Sequence, residues 1–420
     1  MMSTSKTTYA YVMWSCAALF YFYQYILRVI PGVMEPVLKA EFSTTAEQFG
    51  TLGAYYLYPY ALFQIPVGVL IDRVGVKNTL LGSIILCIVG TAILTVTRSF
   101  ELAQLSRVLM GMGSACAFMS CLKIASDNFE PGHRGFLIGA TLTLGTLGAL
   151  ATGYPLTLLM NAVGWRGSLG FLVGLGVVIF LFTLFLMRNP KDLFKLQPPP
   201  MEMTSILSDI KEIASNKVVM LYAFLAVALY APLCVLCDLW GVPFLMQKYG
   251  FDRAGAADAC MMMYAGLCVG SLTMSWIGEK YNVLNEFILV SSFVILALFF
   301  VLIFGPIFSY PVLSFILFFI GYACGAEMLC FTGVALHSSS RKSGVTLGLA
   351  NTMNMLGGAF LQQGVGIILD GLWSGGVDAL GNRVYATQSY QASLSVLLVL
   401  IGISCCVAFL LPRGKEKNFA

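Results

Sequence analysis

The chain has 420 residues, of which 58% are hydrophobic and only 10% are Asp, Glu, Lys or Arg. Soluble globular chains carry about a quarter of their residues as charged ones, so this composition excludes a water-soluble protein. The net charge of +4 is spread along the chain, which leaves no basic patch for nucleic acid.

Twelve apolar stretches follow one another along the chain, each near the roughly 20 residues with which a helix crosses a bilayer. They lie at residues 9–30, 48–71, 78–97, 102–125, 135–158, 166–187, 218–241, 257–278, 284–305, 311–335, 344–369 and 389–411. The sequence therefore predicts an all-α membrane protein with twelve transmembrane helices.

The longest polar stretch separates the first six spans from the last six. This spacing predicts a six-helix bundle over 1–187, a cytoplasmic linker over 188–217 and a second six-helix bundle over 218–420. The linker contains the segment SILSDIKEIASNK, whose pattern favours a short amphipathic helix in the membrane interface.

The two halves resemble each other in sequence. A shift of 209 positions superposes three pairs of glycines, Gly135 with Gly344, Gly139 with Gly348 and Gly148 with Gly357. The pattern indicates a duplicated six-helix unit. Parallel repeats of this kind are the plan of one class of transporters, in which the substrate binds at the midplane between the halves.

Lys and Arg are distributed unevenly among the loops. If both termini are cytoplasmic, sixteen of these residues lie on the cytoplasmic side and six on the other side. The positive-inside rule therefore predicts cytoplasmic termini. Only Arg28 and Arg107 remain within the spans.

The loop after the second span reads Gly68-Val69-Leu70-Ile71-Asp72-Arg73-Val74-Gly75-Val76-Lys77. It resembles the G-x-L-a-D-r-x-G-r-k signature of the major facilitator superfamily, and departs from it at Val76, where a basic residue is usual. The resemblance implies two pseudo-symmetric six-helix bundles and a gating role for Asp72, Arg73 and Lys77. A short basic loop that only sets the topology would carry the same charges.

Span 4 contains Leu102-x4-Arg107-x3-Gly111-x-Gly113, which is similar to an arginine motif of the same superfamily. An arginine inside a span costs several kcal/mol and is usually retained for pairing or for substrate work. We therefore group Arg107 with the gating residues. The alternative to a role inside the span is that the Arg107 side chain extends to the outer membrane interface, because Arg107 lies only a turn or two inside the span.

Polar and aromatic side chains recur at helical spacing in spans 1, 2 and 11, where they favour the wall of a hydrated cavity. The candidate substrate-binding residues are Gln24, Tyr25, Arg28, Tyr56, Tyr60, Asn351, Asn354 and Gln362. Arg28 is the strongest candidate, because its planar guanidinium pairs bidentately with a carboxylate. Helix-to-helix hydrogen bonding by the asparagines and an interfacial location of the tyrosines are the alternatives.

Glu327 is the one acidic residue that the span boundaries place deep inside the membrane. A buried carboxyl group resists ionisation, so it can take up and release a proton near neutral pH. We assign proton coupling to Glu327. A fixed pairing with an arginine and direct binding of substrate are the alternatives.

Two further segments, Tyr23 to Met34 and Asp238 to Pro243, look like a bacterial branch of the superfamily. That branch is related to lysosomal dipeptide carriers and to amino-acid and nucleoside importers of intracellular bacteria; siderophore and organic-acid importers share much of the pattern. Span 5 lacks the G-P-x-x-G-G signature of drug/proton antiporters, while Gly164-Trp165-Arg166 resembles an outer loop common in solute importers. The resemblance implies an importer in a bacterial inner membrane.

These observations predict a secondary active transporter that imports a small carboxylate-bearing nutrient, an amino acid or small peptide, with protons and by alternating access. An importer of an organic acid or carboxylate siderophore, an uncoupled facilitator and an exporter remain alternatives. The sequence has no H-E-x-x-H, G-x-S-x-G or P-loop motif, so we expect no enzyme activity, cofactor or metal. We expect a monomer whose partners are its substrate, protons and the lipid bilayer.

Overall fold

The computed structural model describes residues 4–187, 203–281, 283–338, 343–377 and 383–412. Across these ranges the chain is helical, and its only β-type pairing is one isolated antiparallel bridge between Val377 and Arg383. The α-helices are α1 (Thr4–Phe42), α2 (Ala46–Val74), α3 (Val76–Val96), α4 (Phe100–Asn128), α5 (Pro131–Leu150), α6 (Tyr154–Leu186), α7 (Met203–Ser215), α8 (Lys217–Pro232), α9 (Gly241–Tyr249), α10 (Arg253–Tyr281), α11 (Leu284–Phe304), α12 (Tyr310–Cys324), α13 (Glu327–Leu336), α14 (Ser343–Gly371) and α15 (Thr387–Ala408). Between α8 and α9 the chain forms a π-helical segment, Leu233–Trp240.

Most of these helices are long and apolar enough to cross a membrane. Within the described residues nine helical stretches meet that criterion, and α2 becomes a tenth if its two parts, bent by 52°, count as one span. Predicted spans 5 and 11 correspond to α5, whose apolar part is the shorter Leu137–Leu150, and to α14, which carries Asn351, Asn354 and Gln362. The chain is therefore an integral membrane protein of the all-α class.

The contacts group the chain into two compact units. Unit 1 comprises Met1–Ser43 and Leu52–Pro200, and unit 2 comprises Thr44–Thr51 and Met201–Ala420. Residues 188–202, which make up half of the predicted linker, lie outside the described residues; the remainder of the linker contains α7 and the start of α8.

Glycines in unit 1 allow its helices to approach closely. A Cβ atom on Gly111 of α4 would lie 2.1 Å from the carbonyl oxygen of Tyr56 on α2, and one on Gly148 of α5 would lie 2.2 Å from that of Phe22 on α1. Such distances are shorter than any van der Waals contact, so only glycine fits there.

Arg166 joins the ends of three helices in unit 1. Its guanidinium makes a bidentate ion pair with Glu41, at 2.9 and 3.0 Å, and also donates to the carbonyl oxygens of Thr95 and Thr97. Gly164 precedes it with φ +74°, a backbone conformation that favours glycine. The Gly164-Trp165-Arg166 sequence thus has a structural function, because it ties α6 to the ends of α1 and α3.

In unit 2 two glycine pairs at i, i+4 spacing interlock α10 with α12. Gly266 and Gly270 of α10 face the backbone of α12 at Phe318 and Tyr322. Gly321 and Gly325, at the end of α12, face the backbone of α10 at Met263 and Gly270. Close contact of this kind replaces hydrophobic burial as the force that associates helices in lipid.

We expect the substitution Gly321→Ala to destabilise unit 2, because its Cβ atom would lie 1.9 Å from the carbonyl oxygen of Met263. Overpacking of this size costs about 1–3 kcal/mol and should lower the thermal midpoint of the detergent-solubilised protein. The matched control is Gly402→Ala in α15, where a Cβ atom would meet no described atom within 4 Å. Equal midpoints for the two variants would contradict this packing.

Four helix boundaries differ from those that the sequence predicts. The span predicted over 135–158 is interrupted after Leu150, and its last residues form the start of α6, which begins at Tyr154 and is kinked at Gly164. The first helix continues from residue 30 to Phe42 through Pro31 and Pro36, and the helix of span 7 continues through the π-helical segment to Tyr249. The helix of span 10 instead breaks at Gly325 and Ala326, so that α13 begins at Glu327. Proline removes one backbone donor without ending these helices, whereas the break places a carboxylate in the first turn of a new helix.

Candidate functional site

Arg28 lies in the interior of unit 1 with 6% of its surface exposed. Its guanidinium carbon lies 5.6 Å from the centre of the Tyr25 ring, and its charge also interacts with the hydroxyl groups of Tyr21, Tyr56 and Tyr60. A cation among phenol groups attracts anions, because the low dielectric constant of the protein interior strengthens its electric field. The hydroxyl groups can also donate hydrogen bonds to an anion. We call Arg28 and these four tyrosines the Arg28 cluster.

Hydrogen bonds and one small residue fix the Arg28 cluster. Tyr56 donates to the side-chain oxygen of Gln24 at 2.7 Å, and Gln24 is 1% exposed. Gly145 of α5 lies against the rings of Tyr21 and Tyr25, where a Cβ atom would come within 2.5 Å of the nearer ring. The structure therefore gathers four of the predicted substrate-binding residues of spans 1 and 2 around Arg28 and adds Tyr21 to them.

Arg107 lies inside unit 1, 2% exposed, and binds backbone carbonyl groups. Its guanidinium donates to the carbonyl oxygens of Leu27 at 2.7 Å, Leu52 at 3.3 Å and Arg28 at 3.4 Å, and it lies over the Tyr56 ring at 4.7 Å. Pro31 explains the shortest contact, because it has no N–H group to donate to the carbonyl four residues before it. The side chain therefore braces α1 beside Arg28 and does not extend to a membrane interface; its gating role stays a prediction.

We expect Arg107→Lys to destabilise the protein, because a lysine ammonium cannot reach three carbonyl groups in the fixed geometry of a guanidinium. Unsatisfied buried acceptors cost about 1–3 kcal/mol, which a lower thermal midpoint would report. Arg98→Lys, at an exposed position, is the control. Unchanged stability of the Arg107 variant would show that the bracing is dispensable.

The predicted gating loop makes its contacts within unit 1. Asp72 pairs with Lys123 of α4 at 3.2 Å, Lys77 donates to the carbonyl oxygen of Leu184 at the end of α6 at 2.8 Å, and Arg73 is exposed. The side chains of Lys123 and Asp72 are 31% and 41% exposed, so this ion pair is a weak latch. A gating role for the loop stays a prediction.

Glu327 lies in the interior of unit 2 with 5% of its surface exposed. The side-chain nitrogen of Asn354, on α14, donates a hydrogen bond of 2.6 Å to its Oε1 atom. Asn354 is fully buried, and its own Oδ1 atom has no hydrogen-bond partner among the described residues. The two residues, 27 positions apart, form one pair, whereas Asn351 lies half-buried one turn away on α14.

Gln362, also on α14, is joined to the π-helical segment by two hydrogen bonds. Its side-chain nitrogen donates to the carbonyl oxygen of Cys234 at 2.8 Å, and its backbone carbonyl accepts from the indole of Trp240 at 2.9 Å. A π-helix shifts the backbone hydrogen-bonding pattern and often marks functional positions. Gln362 thus holds α14 against the irregular part of span 7.

Asp238 is a second buried carboxylate of unit 2, at a position that the predicted end of span 7 does not place deep in the membrane. It lies in the π-helical segment, 2% exposed, and accepts a hydrogen bond from Tyr264 of α10. The expectation that Glu327 is the only acid deep in a span is therefore wrong. Asp238 was assigned close to the end of span 7, but the helix continues eight residues beyond position 241. A run of apolar residues that extends past Asp238 to Met246 was the available signal.

The comparisons with known proteins identify the class. The family model of the Major Facilitator Superfamily matches residues 13–361, so the chain belongs to this superfamily of membrane transporters. A solved bacterial homologue of the human lysosomal transporter Spinster, in an inward-facing and unoccupied conformation, has the same fold: the TM-score is 0.76, the identity is 16% and 97% of each chain is covered.

Three curated relatives are transporters of acids by their names. The chain is similar to the gentisate transporter of Corynebacterium glutamicum, with 22% identity over 89% of this chain and 83% of the relative. The probable sulfoacetate transporter SauU of Cupriavidus necator is 31% identical over 40% of this chain and 38% of the relative. The hexuronate transporter of Bacillus subtilis is 24% identical over 41% of this chain and 42% of the relative. In the last two comparisons, the matched stretch spans about two fifths of the relative's length.

Proposed function

We propose that this protein imports a small organic anion together with protons, as a secondary transporter. The Arg28 cluster carries the proposal: a buried guanidinium, surrounded by phenol groups, is a binding site for a carboxylate or a sulfonate. Burial of an arginine in a span is costly, and such residues commonly face substrate pathways.

The proton is assigned to Glu327. Glu327 is 5% exposed and accepts a hydrogen bond from the side-chain amide of Asn354. A buried carboxyl group suits a proton carrier, because burial disfavours its charged form. Entry of a proton with the anion also removes one of the negative charges that would otherwise cross the membrane.

The named relatives favour an organic acid over an amino acid or peptide. Gentisate, sulfoacetate and hexuronates all carry a carboxylate and none carries an amino group. The organic-acid alternative of the sequence analysis is therefore the substrate class that we propose.

We propose a monomer in a bacterial inner membrane, with both termini cytoplasmic on the distribution of Lys and Arg. It works by alternating access, and the loop containing Asp72, Arg73 and Lys77 takes part in its gating. Lys77 binds the end of α6 and Asp72 binds α4, so the loop's conformation is coupled to that of two helices.

Reconstituted vesicles test this proposal directly. An inwardly directed proton gradient should drive accumulation of radiolabelled gentisate, sulfoacetate or galacturonate above its external concentration, and a protonophore should abolish that accumulation. Uptake that stops at equal concentrations despite the gradient would contradict symport. Failure of all three acids to be transported would contradict the substrate class.

An uncoupled facilitator is the second candidate. A facilitated glucose transporter, member 10 of its family in Xenopus laevis, is 29% identical to this chain over 171 residues, 40% of the chain and 31% of the relative. Equilibrative uptake of labelled glucose, insensitive to the protonophore, would favour this candidate.

A further inference from the structure

The first part of α2 belongs to a different unit from the rest of that helix. Residues Thr44–Thr51 group with unit 2, whereas α2 from Leu52 onward groups with unit 1. The later part is held in unit 1 by contacts such as that of Gly111 with the carbonyl oxygen of Tyr56. We call Thr44–Thr51 the α2 start.

Asp370, at the end of α14, binds the backbone of the α2 start. The N–H group of Glu47 donates to Oδ2 of Asp370 at 2.7 Å, and that of Ala46 donates to Oδ1 at 3.3 Å. The hydroxyl group of Tyr385 accepts from the same Ala46 N–H group at 3.0 Å and itself donates to Asp370. Free N–H groups and the helix dipole make a helix N-terminus positive, so a carboxylate is favourable there. Asp370 thus caps a helix whose first residue lies 324 positions before it in the chain.

Asp370 is held in the orientation that this cap needs. Besides the bond from Tyr385, it forms an ion pair of 3.1 Å with Arg383, whose guanidinium lies over the Trp373 ring at 4.3 Å. The Asp370 side chain is only 12% exposed. The carboxylate is therefore placed by residues of unit 2 and needs no rearrangement to receive the α2 start.

Close packing accompanies the cap. A Cβ atom on Gly366 of α14 would lie 2.4 Å from the carbonyl oxygen of Ala46, a distance that only glycine allows. Phe49 of the α2 start is fully buried, and its ring meets that of Trp240 in edge-to-face geometry at 5.7 Å. The α2 start is therefore docked on unit 2 by shape as well as by charge.

The α2 start also has a complete cap of its own. The Thr45 hydroxyl accepts from the N–H group of Gln48 at 3.3 Å, and the side-chain oxygen of Gln48 accepts from that of Thr45 at 3.0 Å. This capping box satisfies two donors of the helix end without help from unit 2. The N–H groups of Ala46 and Glu47 bind Asp370 and Tyr385 instead, and water can replace these acceptors. The α2 start can therefore leave unit 2 without unwinding.

Resting on the proposed function, we infer that the α2 start is a latch, docked on Asp370 in one access state of the transport cycle and detached from it in the other. In alternating access one bundle moves against the other. The longer part of α2 moves with unit 1, so its start has to leave unit 2. Asp370 is a positioning residue in this device: it sets the balance between the two states and does not touch the substrate.

Hydrogen–deuterium exchange of the purified, full-length protein tests the docking. In Asp370→Asn the α2 start should exchange about tenfold faster than in the wild type, because hydrogen bonds to a charged group become bonds to a neutral one. Exchange in α15, which packs against α14, should not change. The matched control is Asp252→Asn, where the carboxylate accepts from Gly255 of the helix that follows it, at 3.0 Å. Equal exchange of the α2 start in Asp370→Asn and the wild type overturns the inference, and so does faster exchange throughout unit 2.

A reversible cross-link tests the movement. Gln363 of α14 donates to the hydroxyl of Thr51 at 3.2 Å, so Thr51→Cys with Gln363→Cys places two thiols within reach of a short bifunctional methanethiosulfonate reagent. Cys406, the exposed native cysteine, is replaced by serine. In vesicles the reagent should stop both uptake and exchange of a labelled acid, and dithiothreitol should restore them. The two single-cysteine variants, treated alike, should remain active. Transport by the cross-linked protein at the untreated rate overturns the inference.

These outcomes distinguish the latch from the proposed function. If the wild type transports gentisate, sulfoacetate or galacturonate and the cross-linked protein does so too, the proposed function stands and the latch is wrong. If the wild type transports none of the three acids, the substrate class is wrong. The exchange measurement, which needs no substrate, then decides the latch by itself: faster exchange confined to the α2 start in Asp370→Asn supports it, and equal exchange overturns it.

Discussion

Replacement of Glu327 by glutamine should abolish accumulation driven by a proton gradient and leave exchange of substrate largely intact. Glutamine has the size of glutamate, and its side-chain oxygen accepts the hydrogen bond that Asn354 now donates to Oε1 at 2.6 Å. The variant should therefore fold, bind substrate and change conformation. The glutamine cannot take up or release a proton. The steps of the transport cycle that depend on this proton are therefore lost, and with them the accumulation that a proton gradient drives.

Two assays on the same vesicles separate these steps. In the first, a pH gradient drives net uptake of a labelled acid, and the accumulation ratio of the variant should fall to about one. In the second, vesicles loaded with unlabelled acid exchange it for labelled acid without a gradient, and the variant should retain at least half of the wild-type rate. Glu101→Gln, which changes an exposed carboxylate, should behave as the wild type in both assays.

The buried Asp238 makes this prediction sharper. It lies in the same unit, 2% exposed, and is bound by Tyr264, so Asp238→Asn is the matched comparison for Glu327→Gln. If Asp238→Asn loses gradient-driven accumulation and Glu327→Gln retains it, the proton is carried by Asp238. Loss of exchange in Glu327→Gln would instead indicate that the charge of Glu327 is needed for substrate binding or for a fixed ion pair.

The sequence predicted the fold because lipid imposes strong rules on it. Long apolar runs must be helices, since no other open structure satisfies its backbone in hydrocarbon, and the motif around Asp72 indicated the superfamily to which the chain belongs. Helix ends were less predictable. Pro31 reads as a stop in a single sequence, but the helix continues past it because Arg107 binds the carbonyl oxygen of Leu27 that proline leaves without a donor.

The candidate site was predictable as a set of residues and not as a set of contacts. Arg28 and Glu327 stand out because charged residues are rare in apolar segments. The partner of Glu327 lies 27 residues away on another helix, and no periodicity within one helix predicts such a pair. Asp238 was missed for a related reason: its interior position follows from the π-helical segment and the extended span 7, which an apolar run alone does not define.

Replacement of Arg28 should remove the affinity for an organic anion. The guanidinium is buried at 6% exposure among phenol groups, and a hydrogen bond to a charged group contributes about 1.5–3 kcal/mol. Loss of one such bond in Arg28→Ala should raise the dissociation constant of gentisate or sulfoacetate by about 10- to 150-fold. Arg28→Lys keeps the charge and loses the planar fork, so its affinity should lie between those of the wild type and the alanine variant.

Three comparisons establish that this loss reflects the anion and not the fold. Arg98→Ala removes an exposed arginine and should bind as the wild type. The thermal midpoint of Arg28→Ala without ligand should stay within a few degrees of the wild type, since Arg107 braces the backbone of α1. Glucose, which carries no charge, provides the third comparison. If Arg28→Ala binds the acids as tightly as the wild type, or if only glucose binds and its affinity is unchanged by the substitution, Arg28 does not bind an anion and the uncoupled sugar facilitator becomes the better account of this chain.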